Sequence, residues 1–207
     1  MVELLMISYE LTRPEELIAG VDEVGRGALF GVVVTAAVIL PKDAIEQCQS
    51  WGVKDSKKLS PQRRELLVPK IQQIAIAYQI GIATVAEIDE INILQATLVA
   101  MRRAITGLAV TPELCLVDGN REIPQLDVPQ QTLVKGEDRS TSIAAASILA
   151  KVWRDRATSE LAAIYPLYDL ENNKGYGTAQ HRNAIEKYGI TPEHRQSFSP
   201  CNRHVCP

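Results

Sequence analysis

Two apolar runs near the N-terminus, joined by a short glycine-rich link, restrict the architecture more than any other feature of this chain. Residues 17–22, Leu-Ile-Ala-Gly-Val-Asp, form a brief apolar run that ends in charge, the pattern of a buried strand. Residues 31–40, Gly-Val-Val-Val-Thr-Ala-Ala-Val-Ile-Leu, are rich in β-branched side chains and stop at Pro41, which makes a second strand. A link this short predicts that the two pair antiparallel. A third strand is expected within Ile74 to Ala86, interrupted by Gly81.

Helical periodicity then alternates with short strands. Ser60-Pro61 is an N-cap with proline at the first helical position, opening a helix through about Ile71. Ile91, Leu94, Leu98, Met101 and Ile105 repeat at helical spacing and end at Gly107. Leu114 to Val117 and Gln131 to Val134 read as strands, ending at Asp118-Gly119 and Lys135-Gly136. Ser142 to Ala163 is a long helix whose alanines let it lie close to a sheet, and residues 178–188 form a further helix stopped by Gly189. This order predicts an α/β sheet with an antiparallel start and a later parallel part. The chain's 207 residues, 46% hydrophobic, suffice for one such domain.

Three of the strand-like runs lead into acid: Asp22-Glu23, Asp118, and Glu137-Asp138 just after a strand. Neighbouring strands lie about 4.8 Å apart, so such carboxylates can converge. Converging carboxylates repel unless they share a proton or bind a hard cation, and all-oxygen ligands suit Mg²⁺ or Mn²⁺. Successive strand side chains face opposite ways, so Asp22 and Glu23 serve one site only if the strand ends there. Gly25 and Gly27 are expected to supply that ending. Spacing alone leaves open a plain surface turn in which Asp22 and Glu23 pair with Arg26. Taken singly, Asp118-Gly119 fits a turn and Glu137-Asp138 a solvated loop.

A nucleic-acid partner usually shows a basic balance, so the formal net charge of −3 counts against one, although the distribution matters more than the sum. Acid concentrates in the first fifty residues, while bases gather at Lys54, Lys57, Lys58, Arg63 and Arg64, and again at Lys151, Arg154 and Arg156. Carboxylates left uncompensated to bind metals lower the sum, and phosphate contacts need only a local basic strip. Cys48, Cys115, Cys201 and Cys206 form no Cys-x-x-Cys pair, and no signal peptide or membrane-spanning run is visible. The expectation is a cytoplasmic protein with free thiols and no membrane partner. Cys201, His204 and Cys206 fit no common zinc spacing and read as a loose tail.

Several segments, in one order and spacing, carry a resemblance: Ile18-Ala-Gly-Val-Asp-Glu-Val-Gly-Arg-Gly27, Asp55-Ser-Lys-Lys-Leu59, Leu116-Val-Asp-Gly-Asn120, Lys135-Gly136 with Ser142 to Val152 and Arg154-Asp155, and Lys174-Gly-Tyr-Gly-Thr178 with His181. Over nearly its whole length the chain resembles bacterial ribonuclease HII. The resemblance implies a ribonuclease H-like mixed sheet flanked by helices, one catalytic unit over residues 1–207, with about 165–207 as a helical C-terminal part. It implies an endonuclease that cleaves RNA in RNA–DNA hybrids and cuts 5′ of single ribonucleotides in duplex DNA, leaving 3′-hydroxyl and 5′-phosphate ends. The cofactor would be Mn²⁺ or Mg²⁺, the protein a monomer, and a replication clamp a possible contact.

By the same resemblance Asp22, Glu23 and Asp118 correspond to metal ligands. Gly25, Arg26 and Gly27 correspond to the loop that senses the 2′-hydroxyl, the group that separates RNA from DNA at one site. Tyr176 corresponds to a ring stacked on the deoxyribose after the ribonucleotide, and Lys57 to a contact with the backbone near the cut. The chain departs from the family pattern once: the carboxylate after Lys-Gly is usually aspartate, and here it is Glu137, with Asp138 next. Counting back from Ile143 puts Glu137 in register for the fourth position, with Asp138 a substitute if the loop shifts. Asp155 reads as structural, paired with Arg154 or Arg156, and His181 as a capping or core histidine. Two other readings stay open, a type 1 ribonuclease H-like nuclease and a catalytically silent hybrid-binding module.

Overall fold

A computed structural model describes residues 8–13, 17–53 and 56–204. Among these residues five strands, β1 Ile18–Val24, β2 Val33–Ile39, β3 Ala77–Ala83, β4 Leu114–Asp118 and β5 Gln130–Leu133, form one sheet in the order β3-β2-β1-β4-β5. β1 and β2 pair antiparallel, as do β2 and β3. β4 pairs parallel with both β1 and β5. The antiparallel start and parallel continuation match the sequence reading.

Among the described residues six α-helices accompany the sheet: α1 Lys42–Ser50, α2 Pro61–Ile74, α3 Val85–Thr106, α4 Thr141–Ile164, α5 Leu170–Asn173 and α6 Ala179–Tyr188. Ser60 caps α2, its side chain accepting from the Arg63 N–H. The third strand is shorter than Ile74 to Ala86 because α2 and α3 claim its ends. α3 begins six residues before Ile91, opened by a Thr84–Glu87 capping box. The apolar repeat from Ile91 marks a second segment instead: Asn92 leaves helical geometry at φ 68°, and its Oδ1 accepts from the Leu94 and Gln95 N–H groups. Helix α1, which follows Pro41, has no counterpart in the sequence reading.

The helices bury the sheet from both sides. On one face, α4 packs its Ala144, Ala145, Ala146 and Ala150 with Val34, Ala36 and Val38 of β2, and α2 adds Leu67 and Ile71. On the other, α3 sets Leu98, Met101 and Ala104 against Ala19, Val21, Ala37 and Val117. Glycine sets the approach in each layer. A Cβ on Gly20 of β1 would come closer than 3.0 Å to the α4 backbone at Ser142 and Ile143, and one on Gly81 of β3 would meet the α3 backbone at Ala100. No helix among the described residues is long and apolar enough to cross a membrane.

Candidate active site

β1 lies at the centre of the sheet, and its pairing with β4 runs only from Ile18↔Leu114 to Val21↔Val117. Beyond that register β1 continues to Val24, held by β2 alone on the other side. The strand ends at Val24, directly before Gly25, so the glycines close it two residues past Asp22 as expected, and its neighbour β4 stops at Asp118, level with Asp22. The side chains of Asp22 and Glu23 both reach the space past the end of β4, where they meet Asp118, and one oxygen from each lies within 4.8 Å of the others.

Asp22 is 6% exposed. Burial drives its pKa well above the ordinary carboxylate value, and the charges of Glu23 and Asp118 push the same way. A Ser147 hydroxyl and the Glu23 N–H, the latter 2.7 Å from Oδ1, oppose the rise. Glu23 is also raised, chiefly by burial and further by Asp118, while Arg26 at 3.3 Å and Lys57 counter it. Asp118 Oδ1 accepts from the Gly136 N–H at 2.7 Å. Three convergent carboxylates, with burial disfavouring the charge of Asp22 and Glu23, form a donor set suited to a hard divalent cation. The Glu23–Arg26 pairing of the surface-turn reading exists, but within this buried cluster.

The other acids differ in position. Gly136–Asp138 is a 3₁₀ turn after a left-handed Lys135, φ 56°. Glu137 points inward: its side chain is 12% exposed, Oε1 is 3.5 Å from Lys57 Nζ, and the Ser147 hydroxyl lies 3.4 Å from Oε2. Asp138 faces solvent. Ser147 on α4 thus stands between Asp22 and Glu137, and it also meets the Ser56 hydroxyl at 2.7 Å. Ser56 begins the turn carrying Lys57, whose side chain is 84% exposed. Asp55 lies outside the described residues. Asp155 bonds Lys151 at 2.8 Å and lies 3.8 Å from Arg64, so it is structural with partners other than its sequence neighbours.

The loop after Glu23 is fixed from beneath. Gly25 has φ +93°, and a Cβ there would collide with the Arg154 guanidinium. Arg154 is buried and donates to three carbonyls, Val32 at 3.1 Å, Lys174 at 2.8 Å and Phe30 at 2.9 Å. Gly27 faces open space. Ala28 pairs with Tyr176 in an isolated bridge, which holds the separate Gly175-Tyr176 turn against this loop. The Tyr176 ring lies 5.3 Å from the Arg154 guanidinium and 5.7 Å from Lys151 Nζ. A cleft of about 250 Å³ opens beside Glu23, Arg26 and Asp118 and is also lined by Asn120 and Arg121.

Several supporting residues went unassigned in the sequence. Arg195 is fully buried and donates to the Gly31 and Arg26 carbonyls, both at 2.9 Å. Burial, then the nearby Arg154, lowers its pKa to about 9. His194 bonds His181, a core residue as expected. Ser147 and Arg154 fall within matched segments, and a serine in a buried alanine run is a signal that could have marked Ser147. Nothing local marks Arg195. Cys201 overturns the loose-tail reading: it is fully buried among Leu29, Phe30, Leu170 and Ile185. His204 lies 3.5 Å from Glu186, and Cys206 is outside the described residues.

Comparison with known proteins agrees with this arrangement. The ribonuclease HII family model matches residues 19–201. The ribonuclease HII of Acaryochloris marina is 59% identical over 192 residues, 93% of this chain and 97% of that protein. The ribonuclease H2 from Pyrococcus horikoshii OT3 has a TM-score of 0.76 at 28% identity, covering 90% of this chain and 95% of that one. The ribonuclease HII of Archaeoglobus fulgidus, solved as a complex with PCNA, gives 0.71 at 26% identity, over 88% and 95%. The expected ribonuclease H-like mixed sheet with helices is the fold of this chain.

Proposed function

The chain belongs to the ribonuclease HII family and is a ribonuclease H, and from that premise we propose that it cuts the RNA strand of RNA–DNA hybrids and incises duplex DNA 5′ of single ribonucleotides, leaving 3′-hydroxyl and 5′-phosphate ends. The observation that carries this reading is the convergence of Asp22, Glu23 and Asp118 within 4.8 Å, beside the Gly25-Arg26-Gly27 loop. Asp22, Glu23 and Asp118 would hold Mg²⁺ or Mn²⁺ there, and the bound metal would supply water activation and charge stabilisation at the leaving oxygen.

The chain's own groups have separable roles. Asp22, Glu23 and Asp118 are the ligands, and Glu137 adjoins them through Ser147, where it orients water or a second ion. The Gly25-Arg26-Gly27 loop meets the 2′-hydroxyl with its backbone, Gly27 exposed at the surface and Gly25 seated on Arg154 beneath, while Arg26 stays tied to Glu23. Tyr176 stacks on the deoxyribose that follows. Lys57, largely exposed and reaching toward Glu137, contacts the backbone near the cut. We read the whole chain as one catalytic unit, active as a cytoplasmic monomer. The PCNA complex of the Archaeoglobus relative is the ground for proposing a sliding clamp as partner.

The test is cleavage of a duplex carrying one ribonucleotide, run separately in Mg²⁺ and Mn²⁺, with Asp118→Asn beside the unaltered protein. Cutting on the 5′ side by the unaltered chain, with hybrid binding but almost no hydrolysis by the variant, is expected. A requirement for several consecutive ribonucleotides would favour a type 1 activity. Tight binding without cleavage in either ion would favour a silent module. Undiminished cutting by Asp118→Asn would sink the site assignment.

A further inference from the structure

Two buried histidines meet in the C-terminal part. His181 and His194 are both fully buried, and their Nε2 atoms lie 3.1 Å apart. Each uses its other ring nitrogen. His181 Nδ1 is 3.0 Å from the Tyr176 carbonyl oxygen. His194 Nδ1 is 3.0 Å from the Thr191 backbone nitrogen and 2.9 Å from the Thr191 hydroxyl.

These contacts define one arrangement of protons. A carbonyl only accepts, so His181 Nδ1 carries its hydrogen and His181 Nε2 is an acceptor. The Thr191 N–H only donates, so His194 Nδ1 is the acceptor and His194 Nε2 carries the hydrogen. Each end independently gives the same direction: Thr191 N–H to His194, His194 to His181, His181 to the Tyr176 carbonyl. An additional proton on either ring would set two N–H groups face to face. Burial keeps both rings toward the neutral form, His194 down to about 3, with His181 adding to the effect.

The relay ends on the residue whose ring lies over Arg154. Tyr176 follows a left-handed pair, Lys174 at φ 50° and Gly175 at φ 83°. Its carbonyl accepts from the Thr178 N–H at 2.8 Å as well as from His181. The neighbour of His194 completes the arrangement. Arg195 holds the Arg26 and Gly31 carbonyls, its N–H donates to the Leu29 carbonyl, and Phe30 bridges to His194. Two consecutive residues therefore hold the two halves of the proposed substrate surface, the 2′-hydroxyl loop and Tyr176.

We propose that His181 and His194 are positioning residues that fix Tyr176 for recognition of the RNA-to-DNA junction, without touching substrate or metal. This rests on the proposed role of Tyr176. It predicts that the pair sets selectivity between substrates more than the rate of hydrolysis as such.

The experiment compares kcat/KM on a duplex with one ribonucleotide to kcat/KM on a uniform RNA–DNA hybrid, in the full chain with Mn²⁺. The ratio of the two is independent of how much of each preparation is folded. His181→Phe and His194→Phe should lower it by about tenfold or more. His181→Asn, whose amide N–H can take the place of Nδ1, should keep it within about threefold. Tyr176→Ala should lower it as far as the phenylalanine variants. An unchanged ratio in both phenylalanine variants, with a lowered ratio in Tyr176→Ala, would overturn the relay and leave the role of Tyr176 standing. An unchanged ratio in Tyr176→Ala would overturn that role and the relay with it. Loss of both activities in the phenylalanine variants would show that the pair serves the fold alone, which also overturns the proposal.

Discussion

The guanidinium of Arg154 occupies the space a side chain at Gly25 would need, with Nε, Cδ and Cζ all closer than 3.0 Å to an ideal Cβ. The residue most often thought of as free is here enclosed. Gly25→Ala would combine a left-handed φ of +93° with displacement of a buried cation that holds three carbonyls. The expected cost is about 2–4 kcal/mol of stability, a Tm lower by roughly 4–16 °C for a chain of this size. Hydrolysis of a single-ribonucleotide duplex should fall by about 100-fold or more at a temperature where the variant is folded. Gly27→Ala, which meets nothing within 4 Å, should leave Tm nearly unchanged and impair only the encounter with substrate. Equal Tm losses in both variants would refute this account.

The carboxylate cluster is placed for function at the expense of stability. Asp22 is raised above its unfolded pKa, so its contribution to native stability is present at low pH and is lost as pH rises through the folded value. At neutral pH without metal, Asp22→Asn should therefore be more stable than the unaltered chain, with a Tm higher by about 2–4 °C per kcal/mol relieved. Added Mn²⁺ should raise the Tm of the unaltered chain and raise that of the variant much less. Calorimetry with and without Mn²⁺ checks both parts, and a destabilised metal-free variant would show that Asp22 is held by its hydrogen bonds more than it is opposed by its neighbours.

Glu137 and Asp138 are adjacent in sequence and separated by the turn that carries them. Only Glu137 faces Ser147 and Lys57. Glu137→Gln should lower kcat by about 10–100-fold with little change in KM, and Asp138→Asn should change kcat by less than about twofold. Steady-state kinetics on one substrate decides this. A larger loss in Asp138→Asn would mean that the turn rearranges when substrate binds.

The buried imidazoles give a pH signature. Unfolded, each takes a proton near 6.5; folded, both are shifted down, His194 to about 3, mainly by burial. Between those values the unfolded chain binds more protons, so this contribution to stability is full above 6.5 and is lost as pH falls toward 3. Each histidine adds at most about 1.4 kcal/mol per pH unit in that window. Urea unfolding at pH 7.5 and pH 5 should show a shallower pH dependence for His194→Gln than for the unaltered chain. Equal slopes would mean that the pair accepts a proton in the folded state.

Much of this molecule is legible along the chain because the informative signals are local. The β-branched run ending at Pro41, the Ser60 cap and the glycine after Thr106 each decide their own neighbourhood, and the acids that end strands show through. What stayed hidden depends on contacts between distant segments. The two carboxylates share a site because β4 stops, a property of another strand. Asp22 and Glu137 are joined by a serine on α4, and the Gly25 loop is held by arginines about 130 and 170 positions away. Periodicity cannot see such partners. It also misplaced the start of α3, since an asparagine that breaks a helix and caps its continuation leaves the apolar repeat intact.

Gly20 has a consequence for how the site keeps its dimensions. Where β1 passes beneath α4, backbone lies on backbone with no side chain between. Asp22 stands two residues along one partner of that joint and Ser147 one turn along the other. The gap between them is therefore gauged by a hard stop, not by a cushion of side chains that can swell or shrink. Repacking the core elsewhere changes how firmly the layers are pressed together well before it changes the aperture into which the carboxylates point.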